Sequence, residues 1–133
     1  MTKSNFYTVS LNEMKEIKAE LAKKESVYIG EIDGKKIKNR QDYYYYLSIA
    51  FKFPTIPTNA NAYIDWLTDL TWLDKEEYIL VINNYSLFMK RKKRDKKHII
   101  DTIKEYVFYF WDEEVSKVAV GGYPKPFTVY LVD

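Results

Sequence analysis

Five consecutive apolar residues, Tyr78-Ile79-Leu80-Val81-Ile82, stand between the charged Lys75-Glu76-Glu77 and the polar pair Asn83-Asn84. Side chains alternate across a strand, so an unbroken apolar run of this length reads as a strand buried on both faces. Such a strand needs helical cover, and the flanking sequence offers it. Ser10-Leu11-Asn12-Glu13 has the form of a capping box, and Leu11, Met14, Ile17 and Leu21 recur on one face, which predicts a helix over 11–24. Asn39 is placed to cap a second helix through Tyr43-Tyr44-Tyr45-Tyr46 to Phe51, with two of the four tyrosines turned inward. Thr58 or Asn59 can cap a third, whose apolar face is Tyr63, Trp66, Leu67 and Leu70 and whose opposite face is Asn61, Asp65 and Thr68. Ile99, Ile100, Ile103, Val107 and Phe110 predict a fourth over about 97–112.

Two further strands are read at Val27–Ile32, followed by the Asp33-Gly34 turn, and at Phe127–Val132. Helices separating short apolar strands imply parallel pairing through crossovers. The expected fold is therefore α/β, a small three-stranded parallel sheet covered by helices. A helical turn is expected around Ser86–Met89, and 90–97 and 116–125 read as linkers.

Composition narrows function. The chain has 133 residues, of which 47% are hydrophobic and 30% charged, enough apolar content for one folded domain. With no cysteine and one histidine, His98, the sequence excludes disulfides, thiolate chemistry and multi-histidine metal centres. No catalytic residue and no cofactor are expected. His98 reads as a solvated helix residue. Asp65 and Asp69, spaced i, i+4, could imitate a metal or acid/base pair on one helix, but no third ligand or nucleophile accompanies them. The start lacks a signal peptide's apolar core and no run is long enough to span a bilayer, so a cytoplasmic protein without membrane contact is expected.

Charge is unevenly distributed. Lys90-Arg91-Lys92-Lys93-Arg94-Asp95-Lys96-Lys97 holds seven basic side chains and one acid, and the rest of the chain carries 14 basic against 18 acidic ones. The stretch from Phe53 to Met89 has Asp65, Asp69, Asp74, Glu76 and Glu77 against Lys75 alone. The basic run, with the aromatics Tyr106, Tyr109 and Trp111, supports an alternative reading as a nucleic-acid binder.

The order and spacing of these motifs resemble the barstar family of ribonuclease inhibitors. Asp65-Trp66-Leu67-Thr68-Asp69-Leu70-Thr71-Trp72-Leu73 is similar to the family's Asp-x-Leu-x-Asp-Leu-x-Trp-Leu stretch, followed at family spacing by Ile79-Leu80-Val81-Ile82-Asn83-Asn84. Ile32-Asp33-Gly34-Lys35-Lys36-Ile37 resembles the family's first strand and turn, Asp42-Tyr43-Tyr44 its first helix, and Pro126-Phe127-Thr128-Val129 its terminal strand. The resemblance covers Val27 to Val132. It implies a barstar-like domain over 26–133 and an N-terminal extension over 1–25 that carries an extra helix and is removable without unfolding the rest.

Departures touch the region that matters for binding. Where the family carries Pro-x-Tyr-x-Gly-x-Asn-Trp-Asp, this chain reads Pro54-Thr55-Ile56-Pro57-Thr58-Asn59-Ala60-Asn61. The loop is one residue shorter, Pro57 replaces a glycine and the usual aromatic is absent. The family's first helix aspartate falls on Asn61, and its second, the acid that enters the nuclease active site, falls on Asp65. A further acidic contact aligns loosely with Glu105. The resemblance thus implies a partner-binding surface of Asn59, Asn61, Ile64, Asp65, Thr68, Asp69 and Glu105, and a 1:1 complex with a cognate ribonuclease or nuclease toxin. A barstar-fold binding module without nuclease inhibition is the other alternative.

Overall fold

The computed structural model describes residues 3–133. In chain order the elements are β1 (Asn5–Val9), α1 (Leu11–Leu21), β2 (Val27–Asp33), α2 (Arg40–Ala50), α3 (Ala60–Leu67), β3 (Glu77–Asn83), α4 (Lys93–Thr102), α5 (Val115–Val118) and β4 (Phe127–Val132). Single 3-10 turns follow β2 and β3, and two π-helical segments, Ile103–Phe108 and Phe110–Glu114, join α4 to α5. All four strands are parallel, in the order β1-β4-β3-β2.

The sheet has four strands where three are expected from sequence. The additional one, β1, pairs with β4 from Asn5 opposite Thr128 to Val9 opposite Val132. Its Phe6-Tyr7-Thr8-Val9 has strand-forming composition, but only Phe6 and Val9 are partly buried, so the segment lacks the apolar periodicity that marks β3. An edge strand needs only one face and one neighbour.

The alternation within β3 divides the interior in two. Tyr78, Leu80 and Ile82, with Phe127, Val129 and Leu131 of β4, face the larger core, built with α2, α3 and the long C-terminal helix. Ile79, Val81 and Val132 face the other way, where Met14 and Leu21 of α1 cover them. The N-terminal segment is therefore the cover of one sheet face. Hydrogen bonds also tie it to residues distant along the chain: Ser4 donates from its backbone N and its Oγ to the Asp112 carboxylate at 3.0 and 2.8 Å, and its Oγ accepts from Phe127 N at 2.9 Å.

The starts of α1, α2 and α3 follow side-chain capping. Ser10 Oγ accepts from Glu13 N at 3.1 Å while Glu13 Oε1 accepts from Ser10 N at 2.9 Å, and these bonds hold the Glu13 carboxyl below its usual range. Asn39 caps α2 and Asn59 caps α3, accepting from Asp42 N and Ala62 N at 2.8 and 2.9 Å. Several boundaries differ from the sequence reading, and the stretch 116–125 read as linker begins within α5. α1 stops at Leu21, and α4 begins at Lys93, so half of the basic stretch read as linker is helix.

The C-terminal helix widens for a reason visible in its sequence. Ile99, Ile103, Val107, Trp111 and Val115 are buried at a spacing of four. Turns of 3.6 residues would carry that stripe about 160° around the axis over its length. The wider π turns counter the rotation and keep all five against the core. Trp111, and not Phe110, is therefore the fully inward residue, and its indole N–H donates to Leu67 O at 2.8 Å.

Tyr43 and Tyr44 point inward and meet Tyr63 with ring centroids 5.3 and 5.4 Å away, while Tyr45 is exposed and Tyr46 half-buried. The Tyr63 hydroxyl shares a hydrogen bond with Thr102, whereas among the described residues the buried Tyr43 hydroxyl has no hydrogen-bond partner. Tyr43→Phe is therefore expected to be neutral or to stabilise by up to about 1 kcal/mol, and Tyr63→Phe to cost about 1 kcal/mol, both read by denaturant unfolding. Burial also pushes Tyr63 up to about 12 and Tyr43 well above the ordinary phenol range. Because an unfolded tyrosine ionises near 10, the stability from the neutral Tyr63 phenol is fully present below pH 10 and lost as pH rises through 12. Denaturation midpoints should fall across that window, and Tyr63→Phe should flatten the fall.

Candidate functional site

α3 is the element that presents the acid expected from sequence. Tyr63 and Leu67 are buried beneath it, and the Trp111 bond to Leu67 O fastens its C-terminal end to the π-helical segment. On the opposite side Asn61 and Asp65 are exposed one turn apart. Among the described residues the Asp65 carboxylate takes part in no side-chain hydrogen bond or ion pair. The helix that carries this free carboxylate is fixed at both ends.

The other expected site residues divide by what they already do. Asn59 spends its side-chain oxygen on the α3 cap. Ile64 is half-buried and packs against the large core. The Thr68 hydroxyl donates to Ile64 O at 2.8 Å, closing the helix at its C-cap. Asp69 lies outside the helix, which ends at Leu67, so Asp65 and Asp69 do not share one helix face. Its carboxylate accepts from Thr71 N at 3.2 Å in a local turn, and it lines a cleft of about 550 Å³ with Tyr78, Trp111, Tyr123 and Lys125. Glu105 is exposed on the π-helical segment that packs against α3.

Two contributors were not singled out from sequence. Trp66, assigned there to the apolar face, is half-buried and stacks edge-on against Trp72 at 5.5 Å. Its indole N–H donates to Thr55 Oγ1 at 3.3 Å, which draws the Pro54–Thr58 loop along the helix. The same loop leaves Ile56 55% exposed although Pro57 is buried. Ile56 is thus exposed apolar surface on the loop that Trp66 holds against α3. The signal was Trp66 itself, an aromatic immediately after the exposed acid.

Residues 27–131 match the family model described as Barstar (barnase inhibitor). The chain belongs to the Barstar family. The mixed α/β architecture agrees with that membership, and the matched span runs from the start of β2 almost to the end of β4, leaving β1 and α1 outside it. No curated protein and no solved structure matches the chain. Within this Barstar-family fold no helix of the described residues is long and apolar enough to cross a membrane. Among the same residues no group of three or more His, Cys, Asp or Glu side chains is arranged to hold a metal ion.

Proposed function

We propose that this protein is an inhibitor that plugs the active site of a ribonuclease, acting as the immunity partner of a toxin nuclease inside the cell that makes it, by binding and without catalysis. The observation that carries the reading is the unpaired, exposed Asp65 carboxylate on α3 in a chain of the Barstar family. A ribonuclease holds phosphodiesters with lysine and arginine, so a carboxylate offered on a rigid helix can take the place of a phosphate. Ile56, Ile64 and Trp66 supply the apolar surround that excludes water from such a contact. Asn61, where the family has an acid, leaves Asp65 without a second charge on its helix face.

Affinity capture from the source organism's lysate, with the wild-type chain as bait and RNA degradation assayed on the eluate, tests the proposal. A small nuclease that is silent while bound and active after release supports it. An eluate without latent nuclease activity contradicts it. Asn61→Asp supplies the missing charge at the second position of α3, a place where the helix end favours an acid. The variant is expected to associate about tenfold faster than wild type with a basic nuclease such as barnase at low salt, an advantage that fades at high salt. Stopped-flow association rates at two ionic strengths check it.

A further inference from the structure

The basic segment is joined in space by cations from elsewhere in the chain. Gly34 allows this. A Cβ there would lie 2.5 Å from Asn84 O and 2.8 Å from Asn83 O, so only glycine lets the corner after β2 sit against the end of β3. Asn84 Nδ2 donates to Asp33 Oδ1 at 2.8 Å and Met89 N to Ile37 O at 2.9 Å, locking the two loops side by side. Between them runs a groove of about 460 Å³ lined by Lys35, Lys38, Leu87, Lys90 and Arg91. It opens at the carboxyl ends of parallel strands, where α/β sheets characteristically take ligands.

The nearby acids are already engaged. Asp95 receives Arg40 at 2.8 Å, and Lys97 pairs with Asp101 at 2.8 Å. Asp33 accepts from Lys35 N and Asn84, and Asp133 accepts from Ser86 N at 3.0 Å. Lys96 donates to Tyr85 O at 3.0 Å and lies 4.1 Å above that ring. Among the described residues, Lys35, Lys38, Lys90 and Arg91 form no ion pair, nor do Lys92, Lys93 and Arg94 beside them. The latter three stand at the start of α4, the end of a helix that disfavours positive charge. So many unpaired cations at such a place repel one another, and a polyanion relieves the repulsion.

We propose that this two-segment groove binds the phosphate backbone of single-stranded nucleic acid. A strand carries one charge every 3.4 Å or so, a density that matches successive cations better than scattered carboxylates on a protein do. Among the described residues Leu87 is the one apolar side chain lining the groove, too little to anchor in a bilayer. The groove adjoins the start of α4, and Glu105 lies twelve residues beyond Lys93, roughly 18 Å by helical rise, so Glu105 is not part of it. Tyr106 and Tyr109 are exposed but belong to that far half, and Trp111 is buried, so the aromatics raised with the basic run are not part of this groove.

The test is fluorescence anisotropy of a labelled RNA of about 16 nucleotides, titrated with the full chain across roughly 50 to 200 mM salt. Four neutralised phosphates give a log–log slope near −3 for a single strand. Lys35→Ser/Lys38→Ser, two exposed side chains outside the basic run, should weaken binding at least tenfold at the lowest salt and flatten the slope by about 1.4. Asp65→Ala should leave RNA binding unchanged, which separates this site from the nuclease-binding reading. The inference is overturned by absence of RNA binding at the lowest salt, or by affinity that survives Lys35→Ser/Lys38→Ser. It is equally overturned if phosphatidylserine vesicles bind and RNA does not.

Discussion

Removal of residues 1–25 is expected to leave a chain that no longer unfolds cooperatively. For the deleted residues themselves, lost burial and regained chain entropy largely offset each other. The damage is what they leave behind. Ile79, Val81 and Val132 lose the cover of Met14 and Leu21, at roughly 1.5–3 kcal/mol for each apolar side chain exposed. Phe127 N and the Asp112 carboxylate lose Ser4, and an orphaned buried donor costs about 1–3 kcal/mol more. Those losses together approach the whole stability of a typical domain, about 5–15 kcal/mol. Thermal unfolding of 26–133 followed by circular dichroism should show a broad drift accompanied by binding of a hydrophobic dye. A sharp transition within a few degrees of the full chain would show that the Barstar-matched span stands alone, as the position of the family resemblance suggests. Met14→Ala in the full chain is the milder version, expected to cost about 2–5 kcal/mol without loss of cooperativity.

Asp65→Ala is expected to weaken nuclease binding by at least 100-fold while leaving the fold unchanged. Among the described residues the carboxylate has no partner, so its removal should move stability by no more than about 0.5 kcal/mol. In the complex it would be desolvated against basic groups, and removing one member of such a pair leaves an uncompensated buried charge, typically about 3–5 kcal/mol. The effect should appear mainly as faster dissociation. Surface-binding kinetics and denaturant unfolding on the same protein preparation separate the two, and a change in affinity below threefold would remove Asp65 from the interface.

Much of the architecture was legible because the signals were local. β3 announced itself as an unbroken apolar run, and Asn39 and Asn59 cap α2 and α3 where their spacing to the following apolar residues indicated. β1 was not legible, since an edge strand buried on one side shows no such run and only its pairing with the distant β4 defines it. The end of α3 was lost for a related reason. Apolar residues continue through Leu70 at helical spacing, yet Leu70 takes a φ of 56° and reaches the core from a turn, which removes Asp69 from the face of Asp65. The basic run looked like linker because charge hides helical periodicity, and its partnership with Lys35 and Lys38 depends on a contact across some fifty residues that Gly34 permits. At the candidate site the acid was readable and its apolar neighbours were not, because Trp66 has the spacing of a core residue and turns to the loop instead.

As proposed, this member of the Barstar family would silence a ribonuclease by occupying its active site. The most direct measurement is titration of the nuclease recovered by affinity capture with increasing amounts of the protein, following RNA cleavage. Residual activity falling linearly to zero at one equivalent, with Asp65→Ala shifting the end point to a large excess, is the predicted result. Full cleavage activity in the presence of saturating protein, or inhibition that excess RNA alone explains, would contradict it.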